Sequence, residues 1–253
     1  MKIRILLSAV VAFTANIALT HDSHADTKAF EKQIEQYLAT DKGKELIGQT
    51  VESYMQERQV RARKQAEEQA NAELERQFKN PVKIEIGNSP VKGPKDAKVT
   101  VIEFSDFQCP YCVRGKETMD QLLKAYPNDV KLVFKNLPLG FHQQAVPAAK
   151  AALAAGKQGK FWEMHDELFA NQQKLNGALY EELAKKLELD VAKFKKDMED
   201  PEIAKQIEDD KKIAAANDIQ GTPGFFVNGV AVRGAYPLEH FKTIVDRWLK
   251  EGK

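Results

Sequence analysis

Only two cysteines occur in this chain of 253 residues, and they stand three apart, as Cys109-Pro110-Tyr111-Cys112, where a β-branched run gives way to a helical one. Val99 to Phe104 has the length and composition of a strand. Met119, Leu122 and Leu123 then recur at helical spacing before a Pro127-Asn128-Asp129 turn. Cysteines at i and i+3 in the first turn of a helix hold their Cα atoms about 5–6 Å apart, within disulfide range. A bond that opens and closes is therefore geometrically possible. The unpaired N–H groups and the macrodipole of the helix start favour a negative sulfur on the first cysteine, so Cys109 is the expected thiolate. Two blander readings stand beside this one, half of a zinc site and an inert structural disulfide. Zinc needs a second ligand pair, and His142, His165 and His240 stand singly with no third cysteine. No metal and no cofactor are expected.

The N-terminus reads as an export leader. Lys2 and Arg4 precede an apolar run from Ile5 to Ala18, and Ser23-His24-Ala25 offers small residues for cleavage after Ala25; an uncleaved N-terminal anchor is the alternative. The apolar run is short for a membrane span. Export to an oxidising compartment makes an even cysteine count look like a staple, yet a chain of this size needs none to hold its core. The pair is better read as chemistry. Lys+Arg 38 against Asp+Glu 37 gives a net charge of +1, and losing Lys2, Arg4 and Asp22 with the leader balances the signs. Nothing in this charge pattern suggests a nucleic-acid partner.

Residues 26–80 are dense in Lys, Glu, Gln, Arg and Ala, a strongly helix-forming mixture without proline until Pro81. Their apolar residues make a thin stripe: Phe30, Ile34, Tyr37 and Leu38, then Ile47, Val51 and Met55, and later Ala62, Ala66, Ala70, Leu74 and Phe78. A helix this polar buries little against its own domain, so it either projects as a solvated stalk or, as expected here, pairs its stripe with copies of itself. A frayed linker interrupted at Gly43 and Gly48 is the alternative. From Pro81 the texture changes. Val82, Ile84 and Ile86 alternate with Lys83 and Glu85 as in a half-buried strand, and the Val99 strand, the cysteine helix and Val130 to Phe134 imply a parallel βαβ unit. The cysteines then lie at the carboxyl end of its first strand, where α/β sheets place their sites. Residues 143–218 are helical by pattern. Phe225 to Val227 and Val230 to Val232 flank an Asn228-Gly229 hairpin turn, and a last amphipathic helix carries Phe241, Ile244, Val245, Trp248 and Leu249.

Over about Pro81 to the C-terminus the chain resembles the exported, DsbA-like branch of the thioredoxin-fold thiol–disulfide oxidoreductases. The residues that carry the likeness are Val101 to Phe104 leading into the C-P-Y-C, Gly159 to His165 within the helical insertion, and Gly221-Thr222-Pro223-Gly224 opening the hairpin. C-P-Y-C alone is shared with glutaredoxins. The resemblance implies an α/β thioredoxin fold with a helical insertion at about 143–218, preceded by a long N-terminal helical segment. It implies that Cys109 attacks, that Cys112 resolves, and that Pro223 is cis and faces the cysteines. A cis proline there would leave neighbouring backbone free to pair with an extended substrate, with Pro110, Tyr111 and Thr222 beside it. Glu103 stands six residues before Cys109, where the family keeps an acid beneath the site. It is expected as the proton acceptor for Cys112, against the alternative of an exposed carboxylate. Asp106 and His142 are expected in loops, His142 with the further possibility of lining the substrate surface. Tyr111 departs from the strongest oxidants of the family, which carry a histidine there, so Cys109 should be acidic but less so than in them.

The resulting expectation is a periplasmic or otherwise exported enzyme that forms or exchanges disulfides in folding protein clients. A DsbB-like membrane oxidase would make it a net oxidase. A membrane reductase, together with a homo-oligomer joined through residues 26–80, would make it an isomerase or reductase. Rival readings are a peptide-binding chaperone with an incidental disulfide and a cytosolic glutathione-dependent reductase, the latter opposed by the leader and the long insertion.

Overall fold

The computed structural model describes residues 23–251. The expected leader lies outside the described residues except for Ser23 to Ala25, which begin the first helix. The described residues form two compact units that divide after Gln69.

In the first unit, α1 (Ser23–Ala39) is followed by α2 (Asp41–Lys79), the last turns of which belong to the second unit. The break falls at Thr40, whose Oγ1 accepts the Gly43 N–H at 3.1 Å and so caps α2. Gly48 does not interrupt the helix. Exposed i,i+4 pairs Glu57–Arg61, Arg63–Glu67 and Lys64–Glu68 add a few tenths of a kcal/mol each to a helix that already has high propensity. Phe30, Ile34, Tyr37, Ile47, Val51 and Met55 are all exposed.

The second unit is built on a five-stranded sheet in the order β1-β3-β2-β4-β5. Its strands are β1 (Val91–Lys92), β2 (Val99–Ser105), β3 (Val130–Asn136), β4 (Gly224–Val227) and β5 (Val230–Arg233). β2 and β3 are parallel and joined through α3 (Pro110–Ala125); the other neighbours are antiparallel. The hairpin turns at Asn228 and Gly229, both at positive φ. One sheet face presents Val99, Val101, Val130 and Leu132 to Met119 and Leu122 of α3 and to Phe241, Ile244, Val245 and Trp248 of α9 (Leu238–Glu251). The opposite face, with Ile102, Phe104, Val133 and Phe226, is covered by Ile213 and Ala214 of α8 (Pro201–Ala216). The insertion also contains α4 (Ala145–Gly156), α5 (Phe161–Ala170), α6 (Gly177–Lys186) and α7 (Val191–Met198). Asn176, Asp190 and Asp200 each cap a new helix start there, which is how one helical stretch of sequence becomes a folded cluster.

Two expectations change. Val82 to Ile86 is not a strand: Ile84 and Ile86 lie against the Ile102–Phe226 face, where the segment covers apolar surface. The edge beyond β3 goes instead to Val91 and Lys92. Leu74 and Phe78 also leave the stripe assigned to self-association. Phe78 is 4% exposed against Trp248, its ring under the Arg247 guanidinium, while Gln77 Oε1 accepts the Ala231 N–H at 2.7 Å. Phe78→Ala is therefore expected to cost about 3 kcal/mol in chemical denaturation of the second unit, and Val51→Ala about 0.5 kcal/mol or less.

Candidate active site

Cys109 is the N-cap of α3, with extended backbone angles, and Pro110 occupies the first helical position, where a missing N–H costs nothing. The N–H groups of Tyr111 and Cys112 both act on the Cys109 sulfur, that of Cys112 while also donating to the Cys109 carbonyl at 3.0 Å. The Cys109 thiol is lowered to about 5, first by hydrogen bonding from the Cys112 thiol, then by Thr222 and those two backbone N–H groups, all working against burial. The resolving thiol thus adds to the helix terminus from which the acidity was expected. Cys112 is fully buried, and burial, reinforced by its neighbour's sulfur, pushes its thiol far above the ordinary range. Both residues are free thiols here. The Cys109 thiol lies 3.5 Å from the Thr222 carbonyl oxygen, and the Asp106 N–H donates to Cys112 Sγ at 3.4 Å.

The Thr222–Pro223 bond is cis, and the buried Pro223 packs against α3 at Gly115, where a Cβ would meet Pro223 Cγ at 3.2 Å. Pro110 and Tyr111 are exposed beside the sulfurs, and the Arg114 guanidinium sits 4.6 Å from the centre of the Tyr111 ring. A cation is thereby brought to the rim of the site although position 111 is not a histidine. Glu103 is fully buried, which removes the exposed-carboxylate alternative. It lies on β2 between register partners Phe134 and Phe225. Burial raises its carboxyl to about 7, with Asp120 adding to the rise; the Ser105 hydroxyl opposes it but meets neither oxygen at hydrogen-bonding geometry.

Asp106 and His142 are in loops, as expected, but they are paired. The buried Asp106 carboxylate accepts the Gln108 N–H at 2.7 Å and the Leu139 N–H at 2.8 Å, and lies 2.8 Å from His142 Nδ1. Gln172, after α5, donates Nε2 to the carbonyls of Phe107 and Cys109 at 2.8 and 2.9 Å. The insertion therefore holds the backbone that presents the nucleophile. Nothing local marks Gln172, Gly115 or Arg114 in the sequence except that Arg114 and Gly115 lie in the first turns after the cysteines. Among the described residues no group of three or more His, Cys, Asp or Glu side chains is arranged to hold a metal.

Two measurements test this geometry. Alkylation of the reduced protein should label Cys109 alone, with a rate that rises through a midpoint near pH 5; labelling of Cys112 at a comparable rate contradicts the assignment. Glu103 binds its proton more tightly folded than unfolded, so the folded state loses stability as pH rises from the unfolded value of 4.5 through about 7. The full penalty above that window is about 3 kcal/mol by linkage. Glu103→Gln should raise stability at pH 8 by up to that amount and lose the gain as the pH falls toward 4.5.

Comparison with known proteins places these features in a family. The family model described as Thioredoxin matches residues 85–247. A thioredoxin-like oxidoreductase from Silicibacter pomeroyi DSS-3 is 35% identical in sequence, with a TM-score of 0.61 over 65% of this chain and 94% of that one. Oxidised BdbD from Bacillus subtilis is 28% identical, with a TM-score of 0.62 over 67% of this chain and 97% of its own. Among curated relatives, a protein of Salinispora arenicola named Na(+)/H(+) antiporter NhaA 1 is 40% identical over 165 residues, 65% of this chain. The match spans only 25% of that relative's length, and among the described residues here no helix is long and apolar enough to cross a membrane. With its cysteine pair at the head of α3, its cis proline and its buried acid on one thioredoxin-type sheet, the chain belongs to the thioredoxin family.

Proposed function

We propose that this protein exchanges disulfides in folding protein clients outside the cytoplasm, with Cys109 as nucleophile and Cys112 as resolving thiol. The observation that carries this reading is the division of the two sulfurs: an acidic Cys109 at the head of α3 and a buried Cys112 whose proton is held tightly. In the reducing direction Cys109 attacks a client disulfide, forming a mixed disulfide and expelling one client thiolate. Cys112 then attacks Cys109 Sγ, the internal disulfide forms, and the second client sulfur leaves with the electron pair. In the oxidising direction the same steps run backward. The exposed Tyr111 and the backbone next to Pro223 supply the client surface, suited to an extended segment. The leader-like N-terminus supports export, and a membrane redox partner, a DsbB-like oxidase or a reductase, would set the net direction.

A second reading concerns the N-terminal unit, proposed as a homo-oligomerisation segment. The exposed Phe30, Ile34, Tyr37, Ile47, Val51 and Met55 favour it, because a persistent polar helix needs partners for such a stripe. Several Cys109 groups around one client would favour reshuffling over single oxidation. The protein should be given reduced and scrambled disulfide substrates in parallel, alone and as Cys109→Ser. Loss of both activities by at least about a hundredfold in that variant is expected from removing a nucleophile; retained activity would indicate a chaperone. Replacing Ile47, Val51 and Met55 by Lys should yield a monomer in light scattering that still oxidises reduced substrate but no longer reshuffles scrambled ones. A wild-type protein that is already monomeric refutes the oligomer.

A further inference from the structure

Among the described residues, the buried side-chain atoms without a hydrogen-bond partner include those of Glu103, Ser105 and Asn136, which lie on the adjacent strands β2 and β3; Thr222 Oγ1 and His165 Nε2 are the others. Glu103, Ser105 and Asn136 are each 1% exposed or less. Two residues along a strand return to the same face, so Ser105 stands next to Glu103 on β2. Asn136 is the register partner of Ser105 on parallel β3, which puts its side chain beside the same hydroxyl. That face of β2 also carries Val99 and Val101, which pack on α3, the helix that holds Cys112. The chain immediately after Ser105 touches the resolving sulfur through the Asp106 N–H at 3.4 Å. Ser105 is thus bracketed by the sulfur that must lose a proton and the carboxyl that can accept one. Burying three unpartnered polar side chains on adjacent strands is costly, so their grouping next to the resolving thiol's helix calls for a role. The backbone under Asn136 is itself pinned, its N–H donating to Asp210 Oδ2 at 2.9 Å while Asp210 pairs with the buried Lys135 at 3.1 Å.

We infer that Ser105 relays the proton between Cys112 and Glu103 during resolution, and that Asn136 orients the Ser105 hydroxyl for that transfer. The inference rests on the proposed roles of Cys112 as resolving thiol and Glu103 as base. The Cys112 Sγ–H proton passes to Ser105 Oγ as the Ser105 hydroxyl proton passes to the Glu103 carboxylate, by direct contact or across one water. The Cys112 thiolate attacks Cys109 Sγ, the Cys109–Cys112 bond forms, and the Cys109–client bond breaks. The client sulfur leaves as thiolate, reduced, while the enzyme is oxidised. In the oxidising direction Glu103 returns the proton through Ser105 to the departing Cys112 sulfur. The Ser105 hydroxyl favours the charged form of both groups it would join, lowering the Glu103 carboxyl and the Cys112 thiol alike. Asp120, in turn bound to Lys116 at 2.8 Å and to Lys92 at 3.5 Å, is the charged side chain acting on Glu103.

The test is single-turnover resolution of a mixed disulfide between Cys109 and a cysteine-containing peptide, in the full chain, with the alkylation rate of Cys109 as reference. Relative to that reference, Ser105→Ala should slow resolution at least about tenfold, the low end of a general acid–base contribution, and reduce its solvent deuterium isotope effect. Ser105→Thr should restore the rate to within about threefold of wild type. Asn136→Leu, similar in size but without the amide, should slow it severalfold. Ser105→Ala added to Glu103→Gln should cost little beyond Glu103→Gln alone, because the two act in one path. Ser105→Val against Ser105→Thr provides the same contrast between two shapes that differ only in the hydroxyl, should the alanine variant fold poorly. Wild-type resolution in Ser105→Ala while Glu103→Gln is slow would overturn the relay and leave the base in place. Wild-type resolution in Glu103→Gln would overturn both. Effects of the two substitutions that multiply would also overturn the relay, since independent paths compound.

Discussion

The covering of β2 on both faces is the constraint from which the site follows. Helices α3 and α9 lie on one side and α8 on the other, so every side chain of that strand except Thr100 is buried, including a carboxyl. An ionised carboxylate without a partner is costly in such a place, and Glu103 responds by holding its proton to about pH 7. The same burial seals Cys112, whose thiol keeps its proton and so stays able to donate it to the neighbouring sulfur. Cys109, at the open end of α3, receives that donation together with the influence of the Tyr111 and Cys112 backbone N–H groups. One strand's enclosure thus sets the protonation of three groups and separates the nucleophile from the resolving thiol.

The remaining parts of the site are devices for holding this arrangement. The insertion reaches back through Gln172 to fix the carbonyls of Phe107 and Cys109, and the loop before α4 reaches back through His142 to Asp106. Asp106 satisfies two backbone N–H groups with its carboxylate while its own N–H contacts Cys112, so a single residue ties the loop, the helix start and the resolving sulfur together. Gly115 allows Pro223 to approach α3 closely enough for the Thr222 carbonyl to face Cys109. None of these residues needs to exchange a proton or an electron to matter; they set distances on which thiol exchange depends.

The N-terminal unit obeys different physics. Its helices are specified by propensity, by i,i+4 ion pairs and by the Thr40 cap, and its apolar stripe remains exposed. The last turns of α2 show the contrast within one helix. Leu74 is half-buried and Phe78 buried against the C-terminal helix, and they belong to the second unit's core by contact, not by composition.

Local chemistry in the sequence was enough to determine the strand–helix–strand unit, the cysteine pair at its turn, the Asn228–Gly229 hairpin and the helical insertion. Each of these depends on spacing or propensity within a dozen residues, and a pattern of that range is written along the chain. The family likeness extended this reading to a cis Thr222–Pro223 bond and to an acid beneath the cysteines. Only the tertiary structure decided what lies between residues far apart. The alternating Val82–Ile86 segment satisfies its period by covering a sheet face instead of joining the sheet, because periodicity reports which side chains are buried and not which backbone groups are paired. Lys135, which any local pattern would place in solvent, is buried because Asp210 comes to it from 75 residues away. The placing of Asn136 beside Ser105 has the same origin: it is a matter of register between two strands and of which helix covers them, and neither is encoded in any one stretch of sequence.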